Sequence, residues 1–115
     1  MKAGSAMNTL VSREVFGVEP CTCGPIGGYD PQTGICSRCG VPPSADYSGS
    51  IAAAWTVVEK LQEDYRPLIG EWDDGEQWFC ELFYGPASAP HLWVLGKTAP
   101  EAICRAALAS KGVAV

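Results

Sequence analysis

Four cysteines fall within nineteen residues, as Cys21-x-Cys23 and, after a gap of twelve, Cys36-x-x-Cys39 followed by Gly40. No other feature restricts the local fold so tightly. The segment that holds them, residues 20–43, is rich in glycine and proline, and its sizeable apolar side chains are Ile26, Tyr29 and Ile35. Such a stretch buries too little apolar surface to offset the entropy of its own ordering, so a cross-link is the natural means of fixing it.

Thiolates are soft donors, and four of them converging at about 2.3 Å suit a tetrahedral ion such as Zn²⁺. A C-x-x-C pair delivers two sulfurs from one tight turn, and Gly40 just after it allows the left-handed backbone such a turn favours. The first pair is less regular, with one intervening residue where zinc ribbons have two or more. The same four cysteines can also pair as disulfides in three ways. The N-terminal residues lack the apolar core of a secretory signal, which points to a reducing compartment, the cytoplasm, where disulfides seldom persist. The expectation is a structural Zn²⁺ held by Cys21, Cys23, Cys36 and Cys39. With all four positions filled by protein, such a site stabilises and does not catalyse. Cys80 and Cys104 lie apart from the quartet in apolar runs and read as small buried hydrophobes. His91 is the lone histidine, which leaves little basis for a Cys-His nucleophile.

At 115 residues the chain fits one domain, residues 1–115, with residues 20–43 as an inserted loop and residues 1–5 as a flexible lead. No stretch approaches the roughly 18 apolar residues of a membrane span. The formal charge of −5, with eight scattered basic residues, argues against nucleic acid as the default partner, because phosphate backbones are held by clustered Lys and Arg.

Helical spacing runs through Met7, Leu10, Val11 and Val15, with Gly17 as terminator. A second helix begins after Ser48 or Ser50 as N-cap and runs from Ile51 to about Asp64, its apolar stripe read as Ile51, Ala54, Trp55, Val58, Leu61 and Tyr65. Thr98-Ala99-Pro100-Glu101 has the form of a capping box with proline in the first turn, and a third helix continues from it to Lys111-Gly112. Three strands are read between the later helices, over Arg66–Trp72, Glu76–Tyr84 and His91–Gly96, with Asp73-Asp74-Gly75 as the first hairpin turn. Alternation divides the middle strand into Trp78, Cys80, Leu82 and Tyr84 on one face and Gln77, Phe79, Glu81 and Phe83 on the other. Both faces carry large apolar groups. The expectation is therefore an α+β fold, a single α/β/α layered domain around a three-stranded antiparallel sheet. The second and third helices cover one face, and the N-terminal helix, the cysteine loop or a second subunit covers the other.

The string Tyr47-Ser48-Gly49-Ser50-Ile51-Ala52-Ala53-Ala54-Trp55-Thr56-Val57-Val58-Glu59-Lys60-Leu61 resembles a signature of small bacteriophage proteins carrying the phage ABA sandwich domain. Asn8 to Gly17 and Ala99 to Leu108 agree with it. The resemblance implies a layered α/β/α domain encoded by phages or prophages, an accessory protein of the host cell cytoplasm with no assigned reaction. It carries over no catalytic residue, and the zinc expectation rests on spacing alone. The order of helix, three strands and helix is also that of double-stranded RNA-binding domains. Here, however, Ala99-Pro100-Glu101 stands where lysines would open the last helix.

The residues leave three classes of function open. The first is a non-enzymatic module whose acidic surface engages a host or phage protein, or a second copy of itself. The second is a small-ligand binder, such as a sequestering protein for a nucleotide signal in host defence. It would place an anion at Ser48 and Ser50, where a helix N-terminus offers N–H groups, with Trp55 and Trp93, and also Trp72 and Trp78, available for stacking; serines at such a spot are far more often plain N-caps. The third is an enzyme using the carboxylates of Asp73, Asp74 and Glu76 around a divalent ion, although their Asp-Asp-Gly context favours a turn. A zinc-knuckle nucleic-acid binder using Arg38, Arg66 and Lys97 stands behind these.

Overall fold

The computed structural model describes residues 2–21, 36, 45–84 and 91–114. Within the cysteine loop this brings Pro20, Cys21 and Cys36 into view, while Cys23 and Cys39 lie outside the described residues.

The first helix begins earlier than its apolar spacing suggests and changes type halfway. Helix α1 spans Ser5–Leu10, and a π-helical stretch continues over Val11–Val15. There the Phe16 N–H reaches back five residues to the Val11 carbonyl at 3.3 Å. The buried Ser12 fixes the exit from this stretch: its hydroxyl donates to the Val18 carbonyl at 2.9 Å, and the Val18 N–H donates to the Ser12 carbonyl at 3.0 Å. Gly17, at φ 70, supplies the left-handed residue between them. At the other end, Gly4 donates its N–H to the Ser48 hydroxyl at 2.9 Å.

Helix α2 spans Ile51–Leu61 and is capped by Ser50, whose hydroxyl accepts from the Ala53 N–H at 3.3 Å. It buries Ala54, Val57, Val58 and Leu61. The expected stripe is thus turned: Val57 is inside, whereas Ile51 and Trp55 are 57% and 53% exposed. Positions 54, 57, 58 and 61 form a complete i, i+3, i+4, i+7 face, and Ile51 and Trp55 flank it.

Strands β1 (Arg66–Trp72), β2 (Gln77–Phe83) and β3 (Leu92–Gly96) form an antiparallel sheet in that order. The β1–β2 turn carries Asp73 and Asp74 at φ 55 and Gly75 at φ 87, closed by the Glu76 N–H on the Asp73 carbonyl at 3.1 Å. Aspartate is among the few residues that tolerate this left-handed region, so the two acids serve the hairpin. Helix α3 (Ala99–Ser110) opens on Thr98, whose hydroxyl accepts from the Glu101 N–H at 3.2 Å.

Trp78, Cys80 and Leu82 of β2, with Ile69, Leu92 and Val94 of the neighbouring strands, face the helices. Helix α3 lies against all three strands, and α2 and the π-helical stretch pack on α3. The N-terminal helix, one of three candidates to cover the second sheet face beside the cysteine loop and a second subunit, lies on the same side as the others. Its buried Met7, Val11 and Val15 find their partners in α3, which is apolar almost all the way round and buries Ala99, Ala102, Ile103, Ala106, Ala107 and Leu108. Among the described residues the layering is helices on one face of a sheet, not α/β/α.

The two layers approach each other closely at Gly96. A Cβ there would sit 2.5 Å from the Ala102 backbone nitrogen and 2.9 Å from its Cα, with no flexible side chain to yield. Replacing Gly96 with alanine is expected to destabilise the fold by about 1–3 kcal/mol through overpacking, read as a fall in the urea midpoint at unchanged m-value. An unchanged midpoint would show that the strand and helix are not held this close.

Candidate functional site

The sheet face turned away from the helices has the character of a binding surface. Its residues are set by the register: Leu68, Gly70 and Trp72 of β1 stand beside Glu81, Phe79 and Gln77 of β2, and Glu81 and Phe79 stand beside Trp93 and Leu95 of β3. Leu68, Trp72 and Trp93 are 51%, 48% and 39% exposed. The two indoles reach toward each other across β2 and meet edge to face, centroids 5.3 Å apart, and Trp72 meets the Phe79 ring edge to face at 6.4 Å. Gly70 makes room for this arrangement: a Cβ on it would lie 2.8 Å from Phe79 Cζ. At the far end of the face the Arg66 guanidinium stands 4.8 Å over the Phe83 ring. Beside it Arg66, Pro67, Leu68 and Phe83 line a mostly apolar cavity of about 300 Å³. Contiguous exposed aromatics of this kind, with an arginine at the rim, are the composition of protein-binding patches. Period-two alternation identifies the residues; it carries no sign that none of the described helices lies over the face.

The four residues read as a ligand site are not gathered in one place. Ser48 is buried, and its hydroxyl donates to Asn8 Oδ1 at 2.7 Å while its N–H donates to the same oxygen at 2.8 Å. Asn8 Nδ2 in turn donates to Asp46 Oδ1 at 3.0 Å. This network ties the start of α1 to the turn before α2, and Ser50 caps α2. Both hydroxyls are thereby engaged within the protein. Trp55 is exposed one turn into α2, whereas Trp93 is on the opposite side of the sheet from the described helices, so the structure does not bring it together with Ser48, Ser50 and Trp55. Asn8, the centre of this network, gives almost no signal in the sequence beyond a lone amide beside an apolar stripe.

Of the proposed zinc ligands, Cys36 is buried and Cys21 half-buried, and Cys23 and Cys39 lie outside the described residues. Among the described residues no three His, Cys, Asp or Glu side chains gather as a metal-binding group, and that includes Asp73, Asp74 and Glu76. His91 meets Tyr84 at a tilt with centroids 4.4 Å apart, and Tyr84 stacks on Tyr65 at 5.0 Å. The Tyr65 hydroxyl is pushed up first by its hydrogen bond with Tyr84 and then by burial.

Cys80 and Cys104 are fully buried free thiols. Burial, then the Glu81 carboxylate, pushes Cys80 up to about 12; burial, then Asp46, Cys80 and Glu101, does the same to Cys104. Both therefore stay protonated and unreactive at neutral pH. A thiol reagent at pH 8 is expected to leave both unlabelled in the native protein and to label both in denaturant. Because the folded values lie above the ordinary 9.0, their contribution to stability is constant below about pH 9 and is lost between about 9 and 12. Rapid native labelling of either would overturn this assignment.

A family model described as the phage ABA sandwich domain matches residues 9–108. Among solved structures, the chain is similar to a phage protein from Bacillus cereus ATCC 14579, at 30% identity and a TM-score of 0.66, over 96% of this chain and 92% of that one. No curated protein matches it. No helix among the described residues is long and apolar enough to cross a membrane.

Proposed function

The chain belongs to the phage ABA sandwich domain family, and on that footing we propose that this phage protein is a non-enzymatic interaction module whose aromatic sheet face binds a host or phage protein. The observation that carries the reading is the edge-to-face Trp72–Trp93 pair, left half-exposed beside Leu68 and the cavity at Phe83. Tryptophan and arginine dominate binding energy at interfaces, and a cavity of this size takes one large apolar side chain from a partner. Glu81, half-buried between Leu68 and Trp93, supplies one central acceptor for orientation. The test is photo-crosslinking from a photo-reactive residue at position 68 of the same face during infection, with the Trp72→Ala/Trp93→Ala variant carrying the same crosslinker as control. One partner protein should be recovered with the native chain and depleted at least tenfold with the variant, since two anchors of about 1–2 kcal/mol each are removed. Equal recovery with the variant would overturn the proposal, and so would crosslinks only to a second copy of the chain.

A structural Zn²⁺ on Cys21, Cys23, Cys36 and Cys39 is part of the same proposal. It is supported by the paired spacing and by the burial of Cys36 in a segment with few apolar residues of its own. A thiolate cage would fix that segment on the domain without adding chemistry. Elemental analysis of protein purified without chelators should find about one zinc per chain, and fewer than about half an equivalent would reject the site.

A further inference from the structure

The chain is acidic overall, yet one cavity is lined by cations. It has a volume of about 290 Å³ and lies beside the first turn of α3, with Lys2, Lys97 and Arg105 around it, the Gln77 amide at one side and the backbone of Gly96 as part of its wall. Glu101 is its one carboxylate. Glu101 and Arg105 stand one turn apart, 3.9 Å between carboxylate oxygen and Nη1, and that same Nη1 donates to the Leu95 carbonyl at 2.8 Å. The guanidinium is thus oriented from two sides, and the carboxylate is already matched by a cation. Lys2 and Lys97 are exposed, and neither takes part in an ion pair among the described residues. Two unmatched ammonium groups and an anchored guanidinium around one cavity leave it positive within a protein of net charge −5.

We propose that this cavity is a binding site for a small phosphate-bearing anion. The α3 dipole adds favourable potential at its N-terminal end, but the helix contributes few donors. Pro100 has no N–H, and the N–H groups of Glu101 and Ala102 are taken by the Thr98 hydroxyl and carbonyl. The contacts therefore come from side chains: a planar fork at Arg105 and two point charges on flexible stems, a combination that suits the several oxygens of a phosphate group. The volume is at the lower end of ligand pockets, enough for pyrophosphate and too small for a large cofactor. An extended nucleic acid is disfavoured because the cations form one cluster and not a stripe. The site borders the Trp72–Trp93 face at Gln77 and Leu95 but includes neither tryptophan and none of the lysines lies on that face, so either proposal can fail while the other holds.

The experiment is a titration of the native chain with pyrophosphate at low salt, monitored by amide chemical shifts and calorimetry. The expected result is saturable one-to-one binding with shifts centred on Gln77, Gly96 and Lys97, weakening as salt is added. Lys2→Gln and Lys97→Gln should each weaken it about three- to fivefold and the double variant about tenfold or more, while Lys60→Gln leaves it unchanged. Both lysines are exposed, so the variants fold, and a thermal scan checks this. The proposal is overturned by absence of saturation below about 10 mM, by shifts centred elsewhere, or by a double variant that binds as the native chain does. It is equally overturned if a single-stranded oligonucleotide binds the same residues more tightly than pyrophosphate.

Discussion

The contact between α3 and the sheet sets the terms for everything else. Because Gly96 has no side chain, the first turn of α3 comes down onto the β3 backbone itself, and because four of its nine buried residues are alanine, other elements can pack near it as well. A helix of this kind has no solvent face to preserve. It meets β2 and β3 below, α2 on one flank and the π-helical stretch on another, and so becomes the centre of the core and not its lid.

That central position explains the bare sheet face. Once α3 absorbs the apolar stripes of both other helices, nothing among the described helical residues is left to cover the far side, and its tryptophans settle against each other. The geometry that makes the interior dense makes the exterior adhesive. The domain presents two surfaces of opposite character: an aromatic one across the strands and a cationic one where β3 turns into α3.

Much of this is legible in the residues. The caps at Ser50 and Thr98, the Asp-Asp-Gly hairpin and the inner and outer sides of β2 are local signals, each decided within a few residues, and each appears where the sequence places it. The misreadings share one cause. Whether Trp55 or Val57 faces inward, whether Val11–Val15 winds as α or π, and which face the first helix covers all depend on what α3 offers, and periodicity carries no information about a partner forty or ninety residues away. The surfaces are harder still. Trp93 reads as a stacking residue, but the ring it meets, Trp72, is two strands distant. Lys97 reads as a companion of Arg38 and Arg66, whereas Lys2 and Arg105 are the cations that share its cavity.

The bonds at the two margins of the cysteine-bearing segment fix where it is anchored. On one side Ser12 and Val18 are stitched together; on the other Asp46 and Ser48 are fastened to Asn8 and Gly4, so the chain leaves and rejoins the domain at fixed posts. Lengthening a stretch tethered in this way is a weak logarithmic penalty, about 0.6 kcal/mol for each doubling. A change in the length of the stretch therefore costs the domain little of this kind, since both posts are built from groups outside it.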